Sequence, residues 1–271
     1  GGETLTDVAR RVGRTQSAIS LRLKKLEDEL GVQLVRRTGR GSELTDAGQI
    51  AQSYARQILA LNDDLVAAME GAGLEGSLRL GLPADLAEHW LATALADFTH
   101  AHPRVHLDVM VERNQILIEK VRQGELDVAL AITPSPPADA VWLAELPVQW
   151  IGRVNQSLDP EEALPLVLFT SPCLFRQIAI EVLEHKGQRW RLAMTSPSLA
   201  GLWAAIEAGL GIGIRTPLGL PDTLAPITSD RLPVIGRSVH LAAYRAAGPA
   251  SAAARALLEI AQSTLKDGRH L

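Results

Sequence analysis

The chain has 271 residues, of which 46% are apolar and 21% are charged, and its net charge is −4. This balance predicts folded globular domains and excludes a chain that is disordered by composition, and the length suggests about two domains. A single cysteine excludes an intramolecular disulfide, and no apolar run reaches the roughly 18 residues of a membrane span. We therefore expect a cytoplasmic protein without membrane contact.

The charges are distributed unevenly along the chain. Residues 1–45 hold nine Lys/Arg and six Asp/Glu, a net charge of +3, whereas the remaining residues hold 18 Lys/Arg and 25 Asp/Glu, a net charge of −7. A basic head on an acidic body is typical of a DNA-binding module joined to a domain with another task.

The beginning of the chain predicts two helices joined by a short turn. A short helix over 6–12 is expected to end at Gly13, and a longer helix, capped by Thr15, is expected to run to Leu30 and end at Gly31. Two helices joined by a tight, glycine-containing turn form the helix-turn-helix pattern.

The longer helix has two different faces. One face is apolar at helical spacing, and we expect it to be buried as a single stripe. It is formed by Ile19, Leu23, Leu26 and Leu30. A neighbouring face, within an arc of about 100°, is polar near its start and basic further on. It carries Gln16, Ser17, Ser20 and Lys24.

A hairpin and a long helix are expected next. Residues 32–45 place short apolar runs around a basic, glycine-rich turn, which predicts a β-hairpin, or wing. A helix from Asp46 to about Glu70 follows, and its later apolar residues recur at a spacing near 3.5, which suits pairing with another helix. The alternative is a helix packed on its own domain. Glycines at 71, 73 and 76 then mark a linker.

From Ser77 the pattern changes to alternating strands and helices. Strands are predicted over 78–82, 105–111, 128–132, 148–153, 166–169, 191–194, 211–214 and 239–244. Helices are predicted over 85–100, 114–122, 174–185, 199–208 and 250–266. This alternation predicts an α/β fold with a mainly parallel sheet.

Several segments together resemble the LysR family of bacterial transcriptional regulators. The family signature is matched by 15–20 (TQSAIS), 26–34 (LEDELGVQL), 36–37 (RR) and 44–48 (LTDAG). The sensor-domain motifs of that family are matched by 124–129 (GELDVA) and 209–213 (GLGIG). Residues 14–17, 107–114 and 187–192 are most similar to the LrhA/HexA branch, which contains regulators of motility, exoenzymes and virulence.

The resemblance implies an α plus α/β multidomain fold with three parts. They are a winged helix-turn-helix DNA-binding domain over 1–45, a linker and dimerisation helix over 46–73, and an effector-binding domain over 77–271. The last is expected to be a periplasmic-binding-protein-like sensor of two α/β lobes. The first lobe is expected at about 77–147 and 239–271, and the second at about 148–238.

Two departures from the family pattern affect the expected DNA binding. Members of the family usually have a first helix before these residues, and without it the DNA-binding unit lacks a packing partner, so we expect this chain by itself to bind DNA poorly. The family often has Arg or Gln after Ser20, whereas this chain has Leu21, which argues against a base or phosphate contact from that position.

The resemblance and the side-chain chemistry point to one DNA-binding surface. Gln16 can bond an adenine edge in the major groove, and Ser17 and Ser20 are short enough to let the helix approach. The basic residues are expected to contact phosphates, and the hairpin arginines could also enter a narrow minor groove. Thr45, like Thr15, is expected first to cap a helix. The candidate contacts are Gln16, Ser17, Ser20, Arg22, Lys24, Arg36, Arg37, Arg40 and Thr45. Each could instead be an ordinary solvated residue.

The expected effector site lies between the two lobes. Ligands in such folds bind outside the carboxyl ends of strands and near the beginnings of helices. The candidate residues at such positions are Pro83, Asp85, Asn114, Thr133, Ser171, Thr195 and Ser198. Each of them could equally be a turn or cap residue.

Other chemistry is less well supported by the sequence. His100, His102 and His106 lack the spacing of a helical metal-binding pair, and Cys173 has no second cysteine to resolve an oxidised thiol. The glycines of 209–213 lack the Lys-Ser/Thr of a phosphate-binding loop. No nucleophile–base pair is apparent, so we expect no metal, no cofactor and no enzyme activity.

Three functions are therefore compared. The first is a LysR-type regulator that binds double-stranded promoter DNA as a homodimer or homotetramer, is tuned by a small-molecule effector, and has RNA polymerase as a further partner. The second is a small-molecule binding protein without a DNA role. The third is an α/β enzyme, which would need a convergent acid/base or nucleophile cluster.

Overall fold

The computed structural model describes residues 9–10, 13–38, 41–70, 74–248 and 250–266. The head and linker contain helix α1 (Gln16–Leu30), strands β1 (Val35–Thr38) and β2 (Gly41–Leu44), and helix α2 (Asp46–Glu70). The first part of the body contains β3 (Glu75–Leu82), α3 (Ala84–Ala87), α4 (Trp90–Ala101), β4 (Arg104–Val111), α5 (Asn114–Arg122), β5 (Val128–Thr133) and β6 (Val141–Pro147).

The remaining elements complete the body. They are β7 (Gln149–Arg153), β8 (Leu164–Phe169), α6 (Leu174–Lys186), β9 (Trp190–Ser196), α7 (Leu199–Glu207), β10 (Gly213–Arg215), β11 (Leu224–Pro226), β12 (Ser238–Arg245) and α8 (Ala252–Lys266). Among the described helices, none is long and apolar enough to cross a lipid bilayer.

Helix α1 begins and ends where the sequence predicts. The Thr15 hydroxyl accepts a hydrogen bond from the Ala18 amide at 3.3 Å, which satisfies one of the free amides of the first turn. Gly31 ends the helix with φ +71°, and its amide donates to the Glu27 carbonyl. Only a glycine adopts that left-handed backbone without a steric cost.

The apolar stripe of α1 is less buried than predicted. Ile19 and Leu23 are half-buried, but Leu26 is 43% and Leu30 is 51% exposed, so the expected burial of the stripe is wrong at its carboxyl end. The hairpin is joined to the helix through the Glu27 carboxylate, which accepts from the backbone amides of residue 34 and of residue 35, the first residue of β1. Because this junction is polar, we infer that the hairpin leaves that end of the stripe uncovered.

The hairpin β1–β2 is antiparallel, with Arg36 opposite Glu43. Helix α2 is a single helix of 25 residues, about 37 Å long at 1.5 Å per residue. Five large apolar residues on one face of α2 are exposed to solvent, with exposed fractions between 37% and 66%. We call this surface the α2 seam; it is formed by Ile50, Tyr54, Ile58, Leu61 and Leu65.

The body contains a five-stranded sheet and a second group of strands. In the five-stranded sheet the order is β4-β3-β5-β12-β6, with β3 parallel to β4 and β5, and β12 antiparallel to β5 and β6. In the second group β10 and β11 pair antiparallel with β7, and β8 pairs parallel with β9. We call the five-stranded sheet with α3, α4, α5 and α8 the first lobe, and strands β7–β11 with α6 and α7 the second lobe.

The structure corrects three details of the predicted body. The first lobe is mixed rather than mainly parallel, because β12 returns to it from the second lobe and runs against its neighbours. Strands β6 and β11 were not predicted; β6 breaks the alternation of buried positions, since Leu143 and Ala144 are both buried. The helix predicted over 85–100 is two helices with a turn at 88–89.

The core of the first lobe forms between its sheet and helices α4 and α8. Leu78, Leu80, Trp90 and Phe98 are fully buried. The Trp90 indole nitrogen donates to the Thr264 hydroxyl at 2.8 Å, which joins α4 to α8 across 174 residues. This packing holds the end of β3, and therefore Pro83 and the residues after it, at the edge that faces the second lobe.

Candidate nucleic-acid interface and interlobe site

The candidate DNA-binding face of α1 lies at the protein surface. Gln16 and Ser17 are exposed, Ser20 is half-buried, and Arg22 and Lys24 further along are exposed. The Ser17 hydroxyl lies 3.1 Å from that of Thr15 at the beginning of the helix. The structure therefore presents a short polar surface followed by two cations, which could approach a groove and its phosphates. Leu21, 70% exposed, adds one apolar side chain to the exposed surface of α1.

The hairpin adds charge beside this helix. Arg36 is exposed and its guanidinium lies 3.4 Å from the Glu43 carboxylate on the opposite strand. An exposed pair of this kind contributes little stability, so Arg36 can exchange Glu43 for a phosphate at small cost. Arg37 lies on β1, but its side chain is outside the described part of the structure, as is all of Arg40.

Thr45 acts within the protein. Its hydroxyl donates to the Gln33 carbonyl at 2.6 Å and accepts from the Gly48 amide at 3.0 Å. The bond from Gly48 is the expected cap at the beginning of α2, and the bond to Gln33 joins that cap to the segment before β1. A DNA contact from Thr45 would have to come in addition to these bonds.

The two lobes meet at a buried ion pair between Asp85 and Arg215. Asp85 lies in α3 after the first strand of the first lobe, and Arg215 ends β10 in the second lobe. The Arg215 Nη2 donates to both carboxylate oxygens of Asp85, at 2.5 and 2.6 Å. Asp85 is 3% and Arg215 is 5% exposed.

Two aromatic rings hold the Arg215 guanidinium from within its own lobe. The guanidinium carbon lies 4.8 Å from the ring centre of Phe169 and 4.4 Å from that of Phe175. Cations are attracted to ring faces at these distances. The position of Arg215 therefore depends on the second lobe as well as on Asp85.

Polar atoms at this point have unused hydrogen-bonding capacity. The Nε of Arg215 and the hydroxyl of the fully buried Thr216 have no hydrogen-bond partner among the described residues. Buried polar groups are usually paired, so such atoms need an explanation. Beside Asp85, desolvation raises the pKa of the Glu88 carboxyl; His89 lowers that pKa, Asp85 raises it and Arg215 lowers it.

A second polar contact crosses between the lobes. The Arg113 Nη2, next to the beginning of α5, donates to the Thr170 hydroxyl, which follows β8, at 3.1 Å. Both residues lie at strand ends, as the neighbouring candidates Asn114 and Ser171 do. The interlobe contacts of Arg113, Thr170, Asp85 and Arg215 thus involve two cations and one anion.

The predicted effector residues occupy different environments. Asp85 is brought to the interlobe contact, and Pro83 is buried just before α3. The Asn114 side chain accepts from the Ile132 amide at 2.9 Å, and the Thr133 hydroxyl lies 3.2 Å from that of Tyr244. These two polar groups are therefore already used inside the first lobe.

The candidates of the second lobe are less enclosed. Ser198 caps α7 by accepting from the Gly201 amide at 3.4 Å. Thr195 and Ser171 are exposed, and the peptide bond from Ser171 to Pro172 is cis. Sequence reasoning missed Arg215, although it directly follows the strand predicted over 211–214, the kind of position from which Thr133 was chosen.

The linker helix is joined to the first lobe through a turn at Gly124. The Arg56 Nη1 on α2 and the Arg79 Nη1 on β3 donate to the Gly124 carbonyl, at 2.9 and 2.8 Å. Arg79 is fixed in turn by Asp127, whose carboxylate also accepts from the Arg79 amide at 2.8 Å. Burial lowers the pKa of Arg56, and the nearby Arg79 lowers it further, while Asp127 and Glu125 oppose the shift.

Comparison with known proteins finds two family matches on the chain. Residues 2–49 match the family described as bacterial regulatory helix-turn-helix protein, lysR family, and residues 71–266 match the LysR substrate binding domain. The chain is 34% identical over 230 residues to the transcriptional regulator DgdR of Burkholderia cepacia, covering 84% of this chain and 78% of DgdR. It is 30% identical over 213 residues to PecT of Dickeya dadantii (strain 3937), covering 79% and 67%.

Solved structures with a similar fold include full-length LysG of Corynebacterium glutamicum with bound effector Arg. LysG is 21% identical, with a TM-score of 0.71, and the alignment covers 97% of this chain and 93% of LysG. DarR of Vibrio fischeri in complex with DNA is 18% identical, with a TM-score of 0.58, over 96% of this chain and 93% of DarR. At these identities the likeness shows a shared fold.

Proposed function

Because this chain belongs to the LysR family and is a DNA-binding transcriptional regulator with an effector-binding domain, we propose that it binds double-stranded promoter DNA as a homo-oligomer and that a small molecule between its lobes changes that binding. The effector would alter the angle between the lobes and reposition the paired DNA-binding heads. Such coupling requires the ligand to favour one arrangement over the other. We place this activity in the cytoplasm, with RNA polymerase as a further partner.

The main observation that supports DNA binding is the composition of the exposed surface of α1. Gln16 and Ser17 are exposed at the beginning of the helix, and Arg22 and Lys24 follow at the surface. This order suits a helix that enters the major groove by its first turn while its later cations contact phosphates. The candidate contacts Ser20, Arg36, Arg37, Arg40 and Thr45 belong to the same proposal.

The α2 seam supports self-association. A row of large apolar side chains that is 37–66% exposed along one helix is the kind of surface that a second copy of the helix covers. Pairing would place two heads on one DNA molecule and favour a pseudo-palindromic site with half-sites about one helical turn apart.

The interlobe contacts support the effector part of the proposal. Asp85 and Arg215 are joined from opposite lobes, and Arg113 and Thr170 are joined nearby. Pro83, Asn114, Thr133, Ser171, Thr195 and Ser198 remain candidates for the same site. The lobe limits and the LrhA/HexA branch expected from the sequence stay predictions.

The test is a mobility-shift titration of the full-length regulator with fragments from upstream of its own and the neighbouring genes. We expect a specific shift whose affinity falls steeply with salt, because counterions are released from phosphates on binding. A scrambled fragment of equal length and composition is the control. Equal binding to both fragments, or no binding at low salt, would overturn the DNA-binding proposal and favour a small-molecule binding protein without a DNA role.

A further inference from the structure

We propose that the effector of this protein is a small zwitterion of the α-amino acid type. Its carboxylate would replace Asp85 at Arg215, and its ammonium group would replace Arg215 at Asp85. This inference rests on the proposed interlobe effector site and adds the chemical class of the ligand. Four observations on the ion pair and its surroundings support it.

First, the Arg215 side chain is held in position by residues of its own lobe. The guanidinium carbon lies 4.8 and 4.4 Å from the ring centres of Phe169 and Phe175, both of which belong to the second lobe. When the lobes separate, Asp85 moves away with the first lobe while both rings stay beside Arg215. The second lobe therefore keeps a preformed receptor for an anion.

Second, Asp85 uses only part of that receptor. Both of its oxygens accept from the same nitrogen, Nη2, while the Nε of Arg215 and the buried Thr216 hydroxyl have no partner among the described residues. A carboxylate that sits on the edge formed by Nε and Nη2 would make the two parallel hydrogen bonds that guanidinium groups favour.

Third, charge balance selects the ligand. Separating a buried ion pair leaves two uncompensated charges, and a ligand that pairs with one of them leaves the other. A simple carboxylate would satisfy Arg215 but not Asp85, and a simple amine would do the reverse. A zwitterion satisfies both, so only this class replaces the pair without leaving a buried charge.

Fourth, the surroundings limit the size and polarity of the ligand. A gap within the second lobe beside Arg215 is lined mainly by apolar residues and is too narrow to admit a water molecule. Its lining includes Phe169, Cys173, Leu202 and Ile214. Because Asp85 and Arg215 are almost fully buried, the lobes must move apart for the ligand to reach them. The apolar residues beside Arg215 favour a ligand with a short apolar substituent over one with a charged substituent.

The experiment is calorimetric titration of the full-length regulator with a panel of proteinogenic and short-chain non-proteinogenic α-amino acids. Each acid that binds is compared with two analogues of the same carbon skeleton, the deaminated carboxylic acid and the decarboxylated amine. We expect at least one amino acid to bind at least 30-fold more tightly than either analogue, an order-of-magnitude expectation for losing one charged hydrogen-bonded contact.

Variants of Asp85 and Arg215 test whether the preference for the amino acid over its analogues comes from this ion pair. Arg215→Gln is expected to abolish binding of the amino acid, whereas Asp85→Asn is expected to remove the preference for the ammonium group, so that the deaminated acid binds as well as the amino acid. The double variant D85N/R215Q retains hydrogen-bonding side chains, so we expect it to stay folded, which thermal unfolding checks. It is expected to bind none of the amino acids in the panel.

The outcomes separate this inference from the function on which it rests. If no amino acid binds the wild-type protein, or if a deaminated acid binds it equally well, the zwitterion proposal is wrong. Retained specific promoter binding in that case leaves the regulatory function standing. If the wild-type protein does not bind promoter DNA specifically, the proposed function itself is refuted.

Discussion

The Arg56 guanidinium on the linker helix donates a hydrogen bond to the Gly124 carbonyl at 2.9 Å, joining residues 68 positions apart. The contact is close, because a Cβ built on Gly124 would lie 2.2 Å from the Ser53 hydroxyl. It connects the helix that leads to the DNA-binding head with the turn between α5 and β5. The junction is therefore sensitive to any added volume.

Gly124→Ala should destabilise the protein for two reasons. Gly124 has φ +68°, which is strained for alanine, and the new methyl group would also push on Ser53 of α2. We expect a loss of about 1–3 kcal/mol in the free energy of unfolding, measured by denaturant titration. Gly187→Ala is the matched control, because Gly187 has φ +66° and open space around it. Equal losses in the two variants would show that the contact with α2 is energetically neutral.

Gln16→Ala should weaken binding to the specific DNA site by about 10-fold or more and relax sequence preference at one base pair, since a bidentate base contact contributes ~1–3 kcal/mol of discrimination. Lys24→Ala should weaken binding to all fragments similarly and reduce the salt dependence, as expected for a phosphate contact. Mobility shifts on specific and scrambled fragments measure both effects. Gln52→Ala, at an exposed glutamine of α2, is the control; a uniform loss across fragments for Gln16→Ala would argue against base contact.

Ile58→Glu should dissociate the oligomer without unfolding the subunit. Ile58 is 66% exposed on the α2 seam, so a charge there costs the isolated chain little but would be buried in a paired helix. Light scattering coupled to size exclusion gives the mass, and thermal unfolding checks the fold. Gln52→Glu, away from the seam, should leave the mass unchanged. An unchanged mass for Ile58→Glu would exclude the seam as the main contact.

Glu88→Gln should stabilise the protein at neutral pH. The Glu88 side chain is exposed, but partial desolvation raises the pKa of its carboxyl in the folded state, so the folded protein binds the proton somewhat more tightly than the unfolded chain does. Stability is then lost as pH rises from the usual carboxyl range through the raised pKa, and the amide, which carries no charge, avoids that loss. Unfolding midpoints across weakly acidic to neutral pH should fall less in Glu88→Gln than in the wild type. Parallel curves would show that Glu88 is not desolvated in solution.

Local patterns in the sequence predicted local structure well. Thr15 and Gly31 marked the ends of α1 because caps depend on neighbouring backbone groups. The run over 128–132 was recognised as a buried strand because each of its residues is apolar, and β5 is buried throughout. The exposed positions of Gln16 and Ser17 followed in the same way from helical periodicity.

Contacts between distant parts of the chain were not predictable from these patterns. Asp85 and Arg215 are 130 positions apart, and nothing near either residue indicates the other. Asn114 and Thr133 stood at the expected strand and helix ends, but their side chains bond backbone and Tyr244 within one lobe. Position at a strand end thus led to the edge at which the two lobes meet, whereas which side chains on that edge contact the other lobe depended on tertiary contacts.

The return of β12 to the first sheet determines which part of the molecule can move. Helix α2 leads into β3, and α8 follows β12, so both ends of the effector domain are attached to the same lobe, and Arg56 fastens α2 to it. The second lobe is inserted between β6 and β12 and carries no terminus. We therefore expect its motion to leave the geometry between a subunit's own DNA-binding head and first lobe unchanged. A signal from the ligand would then have to reach the DNA through a neighbouring subunit, which makes assembly a condition of regulation.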